Sequence, residues 1–207
     1  MKDKKNKQLL VEGNDDKHVI SILCEEYALP ETFEITDCKG INNLMVSLSV
    51  RLKQSPDFDT IGMVIDADTD LTRRWQSICS VLTGYGYSVP DTIPSEGLIL
   101  RGYPKTVGVW IMPDNHSPGM LEDFIRLLVP SGDDLVLIAE STLDSIETRK
   151  LNRYSLPYYR SKALIHTWLA WQKIPGTPLG LSIKKKYLNS DTKQCSLFID
   201  WLKALFG

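Results

Sequence analysis

The chain has 207 residues, 43% of them hydrophobic and 24% charged, with a formal net charge of −2. This is the balance of a soluble globular protein able to bury a sizeable core, not of a disordered or low-complexity chain. So small a charge gives no global electrostatic pull toward nucleic acid or anionic membrane, and only a local basic groove can supply one.

The opening MKDKKNKQ is basic and runs straight into a short apolar strand. It lacks both an apolar signal core and a small-residue cleavage site. No apolar stretch reaches the roughly 18 residues a membrane span needs, so a cytoplasmic protein without a membrane partner is the expectation. QLLVEG (8–13) reads as a buried strand, and DDKHVISILCEEYAL (15–29) as a helix with Val19, Ile20, Leu23 and Tyr27 at helical spacing. TFEITDC (32–38) predicts a second strand, Gly40 a break, and INNLMVSLSVRLKQ (41–54) a second helix on Leu44, Leu48 and Leu52. TIGMVIDADTD (60–70) predicts a third strand ending in acids. Behind it DLTRRWQSICSVLTGYGY (70–87) puts Trp75, Ile78 and Leu82 on one helical face, and Gly84 and Gly86 end it.

Residues 90–104 are punctuated by proline and glycine and read as a connection. KTVGVWIMPDN (105–115) is a fourth apolar strand and PGMLEDFIRLLV (118–129) a helix with proline near its start. From about 133 the pattern becomes helical only, at 133–151, 157–172 and 193–206, with PGTPLG (175–180) as a loop. Strands alternating with helices predict an α/β fold with a mostly parallel, Rossmann-like sheet of about four strands flanked by helices. The expected organisation is an α/β core over 1–130 and a helical C-terminal part over 131–207, packed on that core within one domain.

Cys24, Cys38, Cys79 and Cys195 are dispersed, without a CxxC pair or a histidine at metal spacing, so reduced thiols are expected rather than zinc or disulfides. His18, His116 and His166 are isolated, and KKKY at 184–187 reads as a solvated run.

The acids are less ordinary. Open α/β sheets bind ligands outside the carboxyl ends of their strands. Glu12 closes the first strand, Asp66 and Asp68 the third and Asp114 the fourth. Asp66 and Asp68 point to one side if strand geometry persists, and Asp70 extends the series. Carboxylates about 6 Å apart repel by roughly 3 kcal/mol at an effective dielectric near 20. A hard divalent cation removes that repulsion, and oxygen ligands without histidine or cysteine favour Mg²⁺ or Mn²⁺. Asp15 and Asp16 read more simply as helix caps, and Glu122 and Asp123 as acids suited to a helix's first turn. Glu12 and Asp66 precede the cap positions, where an unpaired carboxylate gains no cap hydrogen bond. If the site exists, Glu12 lies within about 10 Å of Asp66.

Rival patterns fit less well. An EF-hand beginning at Asp66 needs glycine where Leu71 stands and glutamate where Ser77 stands. A haloacid-dehalogenase phosphatase pattern matches DAD but meets Asp70 where threonine or valine belongs, and leaves Glu12 idle. No GxxxxGK(S/T) or GxGxxG occurs.

LLVEGNDD (9–16) and VIDADTD (64–70), one strand-helix unit apart, resemble the Toprim domain of topoisomerases, bacterial primases and overcoming-lysogenization-defect nucleases. VWIMPDNHSPGMLEDFI and HTWLAWQKIPGTPLG look like a bacterial family of unknown function placed near Toprim proteins. The resemblance implies a Toprim-like fold and Mg²⁺ held by Glu12, Asp66 and Asp68. With no topoisomerase tyrosine domain or primase zinc module visible, it points to the nuclease branch, where an ATPase partner is a further implication. The metal candidates are thus Glu12, Asp66, Asp68, Asp70 and Asp114, with Glu122 and Asp123 farther out. RKLNRYSLPYYRSK (149–162) interleaves basic and aromatic residues, which suits backbone contact and base stacking. Arg149, Arg153, Tyr158 and Arg160 are the nucleic-acid candidates, and Lys162 the candidate transition-state cation. The expected function is Mg²⁺- or Mn²⁺-dependent phosphodiester hydrolysis on nucleic acid. The alternative is a Toprim-like binding or regulatory module without turnover.

Overall fold

The protein was analysed as a computed structural model that describes residues 6–53, 59–102 and 105–207. Five strands form one sheet: β1 (Lys7–Val11), β2 (Glu34–Asp37), β3 (Thr60–Asp66), β4 (Leu98–Leu100) and β5 (Thr106–Met112). Their lateral order is β2-β1-β3-β5-β4. β2, β1, β3 and β5 run parallel and β4 pairs antiparallel on β5 at the edge. The four expected strands are β1, β2, β3 and β5. β4 is a correction, because it lies in the stretch read as a connection. Three residues are too few for alternation to register, and β4 exists because β5 offers it a ladder; Tyr103 and Pro104, in the same stretch, lie outside the described residues.

Among the described residues there are eight helices: α1 (Asn14–Glu26), α2 (Ile41–Lys53), α3 (Leu71–Gly84), α4 (Leu121–Leu127), α5 (Asp134–Thr148), α6 (Arg160–Ala170), α7 (Leu179–Lys184) and α8 (Lys193–Phe206). Gln54, the expected end of the second helix, lies outside the described residues. α7 is a second correction, since the sequence puts a loop across its start. A six-residue helix has little intrinsic stability, and it forms against α1, where Gly180 sits on the His18 backbone so closely that an added Cβ would lie 3.0 Å from it.

The two-residue period of the strands sorts the core. Leu9, Val11, Val64, Trp110 and Met112 face one side, buried with side chains from α1 and α4–α8. Leu10, Ile61, Met63, Ile65 and Val109 face the other, against α2 and α3. The inner strands β1, β3 and β5 are therefore apolar on both faces, as the middle of a parallel sheet requires, while the edge strand β2 is not. The result is an open, Rossmann-like α/β sheet covered on both sides. Among the described residues, no helix is long and apolar enough to cross a membrane.

The last helix is integral to this core. Gly62 and Gly108 are paired in register on β3 and β5. A Cβ at Gly108 would lie 2.3 Å from Leu205 Cδ2, and one at Gly62 would lie 2.9 Å from Leu205 Cδ2 and Phe206 Cζ. The two glycines form the seat of α8. Gly108→Ala should therefore cost about 1–3 kcal/mol through overpacking. Urea denaturation reads this as a lower midpoint, and an unchanged midpoint would show that α8 is not held there.

All four cysteines are free. Because β1, β3 and β5 are parallel, their carboxyl ends share one rim, with Val11 beside Val64 and Asp66 beside Met112.

Candidate functional site

Glu12 and Asp66 meet at that rim. Glu12 Oε1 accepts the Asp66 amide at 2.9 Å, well inside the 10 Å expectation. Asp66 Oδ1 in turn accepts the Leu121 amide at 3.0 Å, at the start of α4. Each carboxylate is thus held by a backbone N–H from the neighbouring segment.

Asp16 joins them. One of its oxygens does cap α1, with Oδ2 accepting the Gly13 amide at 3.0 Å. The other, Oδ1, is buried and has no hydrogen-bond partner among the described residues. Burial and then the Glu12 charge push the Asp16 carboxyl from its ordinary 3.8 to about 7, against the pull of backbone N–H groups, and Glu122 adds to the rise. Asp66 rises well above the usual range through burial, then through Asp16, Glu12, Glu122 and Asp68. Burial also raises Glu12, opposed by its Asp66 amide bond and by Arg74.

Glu122 is not on a solvated helix face: it is 4% exposed. Its Oε1 stands 3.4 Å from Lys162 Nζ, so the candidate cation reaches Glu122. Asp123 is structural, accepting the Met120 amide at 2.8 Å and the Ser161 hydroxyl at 2.5 Å.

Asp68 corrects the expected strand geometry. β3 stops at Asp66, and Asp68 adopts a left-handed φ of 55°. Two backbone hydrogen bonds tie it to Gly119, Asp68 N to Gly119 O at 2.8 Å and Gly119 N to Asp68 O at 2.7 Å. Asp68 is a neighbour of the Asp66 cluster but is turned out of the strand. Its carboxylate pairs with Arg74, whose Nε also donates to the Asp66 carbonyl at 2.8 Å. The sequence does carry a signal for Arg74: Arg73 and Arg74 occupy the first turn of α3, where basic residues oppose the helix dipole. For Asp16 the signal is its place four residues beyond Glu12, in the helix turn that folds back on the strand end.

Two other candidates are engaged by their own local backbone. Asp70 caps α3, accepting the Arg73 amide at 2.9 Å. Asp114 binds its own loop, accepting the His116 amide at 3.0 Å and the Ser117 amide at 2.7 Å, with the Ser117 hydroxyl at 3.1 Å. Both carboxylates are thus held by local hydrogen bonds, a correction to their expected place among the metal ligands.

The basic, tyrosine-rich segment divides. Arg160 faces α5 and is paired with Asp144 at 2.6 Å and Glu147 at 3.2 Å, so its charge is largely neutralised. Arg149 caps the C-terminus of α5, and Arg153 is exposed on the loop that follows. Tyr158 reaches the site: it lines the clefts beside Asp68, and burial together with the Asp68 carboxylate raises its hydroxyl pKa.

Among the described residues no group of three or more acidic, histidine or cysteine side chains is arranged to hold a metal ion as it stands. The chemistry of the donors nevertheless suits a hard cation. Glu12, Asp16, Asp66, Asp68 and Glu122 offer oxygen alone, outnumber the cations Arg74 and Lys162, and include a buried oxygen lacking any donor.

A family model described as a protein of unknown function, DUF3226, matches residues 6–207. No curated protein and no solved structure matches the chain.

Proposed function

The chain belongs to the DUF3226 family, and for this member we propose Mg²⁺- or Mn²⁺-dependent hydrolysis of phosphodiester bonds in nucleic acid, at a Toprim-like site. The observation that carries the reading is the carboxylate cluster at the β1 and β3 ends with the unpartnered, buried Asp16 Oδ1. Glu12, Asp66 and Asp68 would hold the ion, with Asp16 and Glu122 completing the acidic set. A divalent ion bound there neutralises a phosphate and acidifies a water molecule.

The chain's own residues supply the rest. The backbone amides of Asp66 and Leu121 fix Glu12 and Asp66 in place. Lys162 brings a cation to the edge of the cluster, where charge on a scissile phosphate develops. Arg74 spans the Asp66 carbonyl and the Asp68 carboxylate, holding the turn that carries both acids. An ATPase partner, as the Toprim-type nucleases suggest, and a cytoplasmic setting belong to the same proposal.

A second reading rests on that same arginine. A guanidinium already neutralising Asp68 suits a binding or regulatory module that keeps the fold without turnover.

Incubation with single- and double-stranded DNA and RNA separates the two. Cleavage in Mg²⁺ or Mn²⁺, and none in chelator, is the expected result. Arg153→Ala should weaken substrate binding and reduce its salt dependence by about one phosphate contact, leaving the maximal rate in place. No cleavage of any substrate, with or without an ATPase partner, would hand the site to the binding-module reading.

A further inference from the structure

Two clefts flank the Asp68–Thr69 turn and share the Tyr158 side chain as a common wall. Their chemistry differs. The first, about 380 Å³, presents Arg73, Arg74, Ser77 and Thr69 together with the carboxylates of Asp68, which pairs with Arg74, and Asp70, which caps α3. The second, about 230 Å³, has apolar walls from Pro118, Met120 and Pro157, with Asp68, Thr69, and the hydrogen-bonded Ser161 and Asp123 at its polar edge. Arg73 is exposed and, among the described residues, carries no ion pair. Tyr158 is 40% exposed and is braced edge-on by Tyr159, ring centroids 4.9 Å apart at 81°.

Donors to an anion on one side of an aromatic ring and an apolar slot on the other match the repeat of a nucleic-acid strand, in which charged phosphates alternate with flat bases. A duplex keeps those flat faces stacked inside and shows only edges and backbone. Ring faces are available to a tyrosine only where the bases are unpaired. A slot of about 230 Å³ has room for a single heterocycle, not a helix.

We infer that this groove binds an unpaired strand, with one nucleobase between Tyr158 and the Pro118–Met120–Pro157 wall and a neighbouring phosphate against Arg73. The assignment names the substrate class of the hydrolase reading and rests on it for the fate of the strand, while binding itself requires only the groove.

Fluorescence anisotropy with a labelled mixed-sequence oligonucleotide and its duplex tests this on the full chain. Measurements are made in chelator and, on Asp66→Asn, in Mg²⁺. Single-strand affinity should exceed duplex affinity by roughly tenfold or more. Tyr158→Ala should lower single-strand binding roughly 5- to 100-fold while Tyr158→Phe keeps it, the range a lost stacking contact gives. Arg73→Ala should weaken binding with a shallower salt slope. Equal affinity for the duplex, unchanged binding by Tyr158→Ala, or no binding of either form overturns the inference. Divalent-dependent cleavage of duplex without preference for single strands also overturns it while leaving hydrolysis standing. Tyr158-dependent single-strand binding with no cleavage in any divalent ion keeps the groove and removes the hydrolase.

Discussion

Asp66→Asn should eliminate divalent-dependent cleavage, lowering its rate by orders of magnitude, while the folded chain remains at least as stable as wild type. The substitution is nearly isosteric, and an asparagine Oδ1 can still accept the Leu121 amide that Asp66 accepts at 3.0 Å. What it removes is a negative charge raised in pKa by burial and by Asp16, Glu12, Glu122 and Asp68. Without a metal, that loss relieves repulsion. With a metal, it removes a ligand, and the affinity for Mg²⁺ falls with it. Calorimetric titration of Mg²⁺ and a cleavage assay on the same preparation, with circular dichroism as the check on folding, read all three effects. Glu12→Gln should behave alike, since Glu12 Oε1 keeps its contact with the Asp66 amide through the glutamine carbonyl. Cleavage by Asp66→Asn at the wild-type rate would place the activity elsewhere or in a contaminant. Unchanged Mg²⁺ binding in both variants would remove the metal from the site.

Metal-free protein should lose stability as the pH rises from about 4 to above 7, opposite to the trend of a protein held by salt-bridged carboxylates. Asp16, Asp66 and Glu12 all have folded-state pKa values above their ordinary ones. A group of that kind is stabilising, relative to its charged form, below the unfolded pKa. The contribution disappears as pH climbs through the folded value, about 7 for Asp16. The size is a few kcal/mol, since a carboxyl moved from 3.8 to about 7 corresponds to on the order of 4 kcal/mol, shared here among interacting acids. Glu122, Asp68, Arg74 and Lys162 face the same cluster and set its field. Mg²⁺ should offset the loss at high pH, because ligand binding to the folded form stabilises it and the ion competes with protons for the same oxygens. Urea unfolding at pH 5, 6, 7 and 8, with and without Mg²⁺, measures both slopes. Asp16→Asn should flatten the metal-free profile. A metal-free stability that instead rises steadily from pH 5 to 8 would show that these acids do not repel one another.

The sequence by itself determined the α/β class, four of the five strands, and the pairing of Glu12 with Asp66. Those follow from local rules. Apolar runs such as residues 60–65 are long enough to mark buried strands, and parallel strands must bring their carboxyl ends to a common rim. An acid at each strand end is then placed by topology alone, within wide limits that the observed contact meets.

Tertiary structure decided the rest. β4 and α7 are too short to carry a period, and they exist through a ladder on β5 and through the close approach of Gly180 to α1. Asp16 reads as a cap from its position, and one oxygen is one; only packing shows that the other is buried without a donor. Glu122 and Asp123 are adjacent acids in the same helical turn, yet the first is enclosed beside Lys162 and the second binds Ser161, because helix α6 covers that face. Asp70 and Asp114 look equivalent to Asp66 and Asp68 as letters, but Asp70 takes an amide of the first turn of α3 and Asp114 two amides of its own loop. Arg160 and Tyr158 are two residues apart and part company across a helix start, one turned to the acids of α5 and the other to Asp68. Burial and partner choice depend on residues distant in the chain, and no local pattern encodes them.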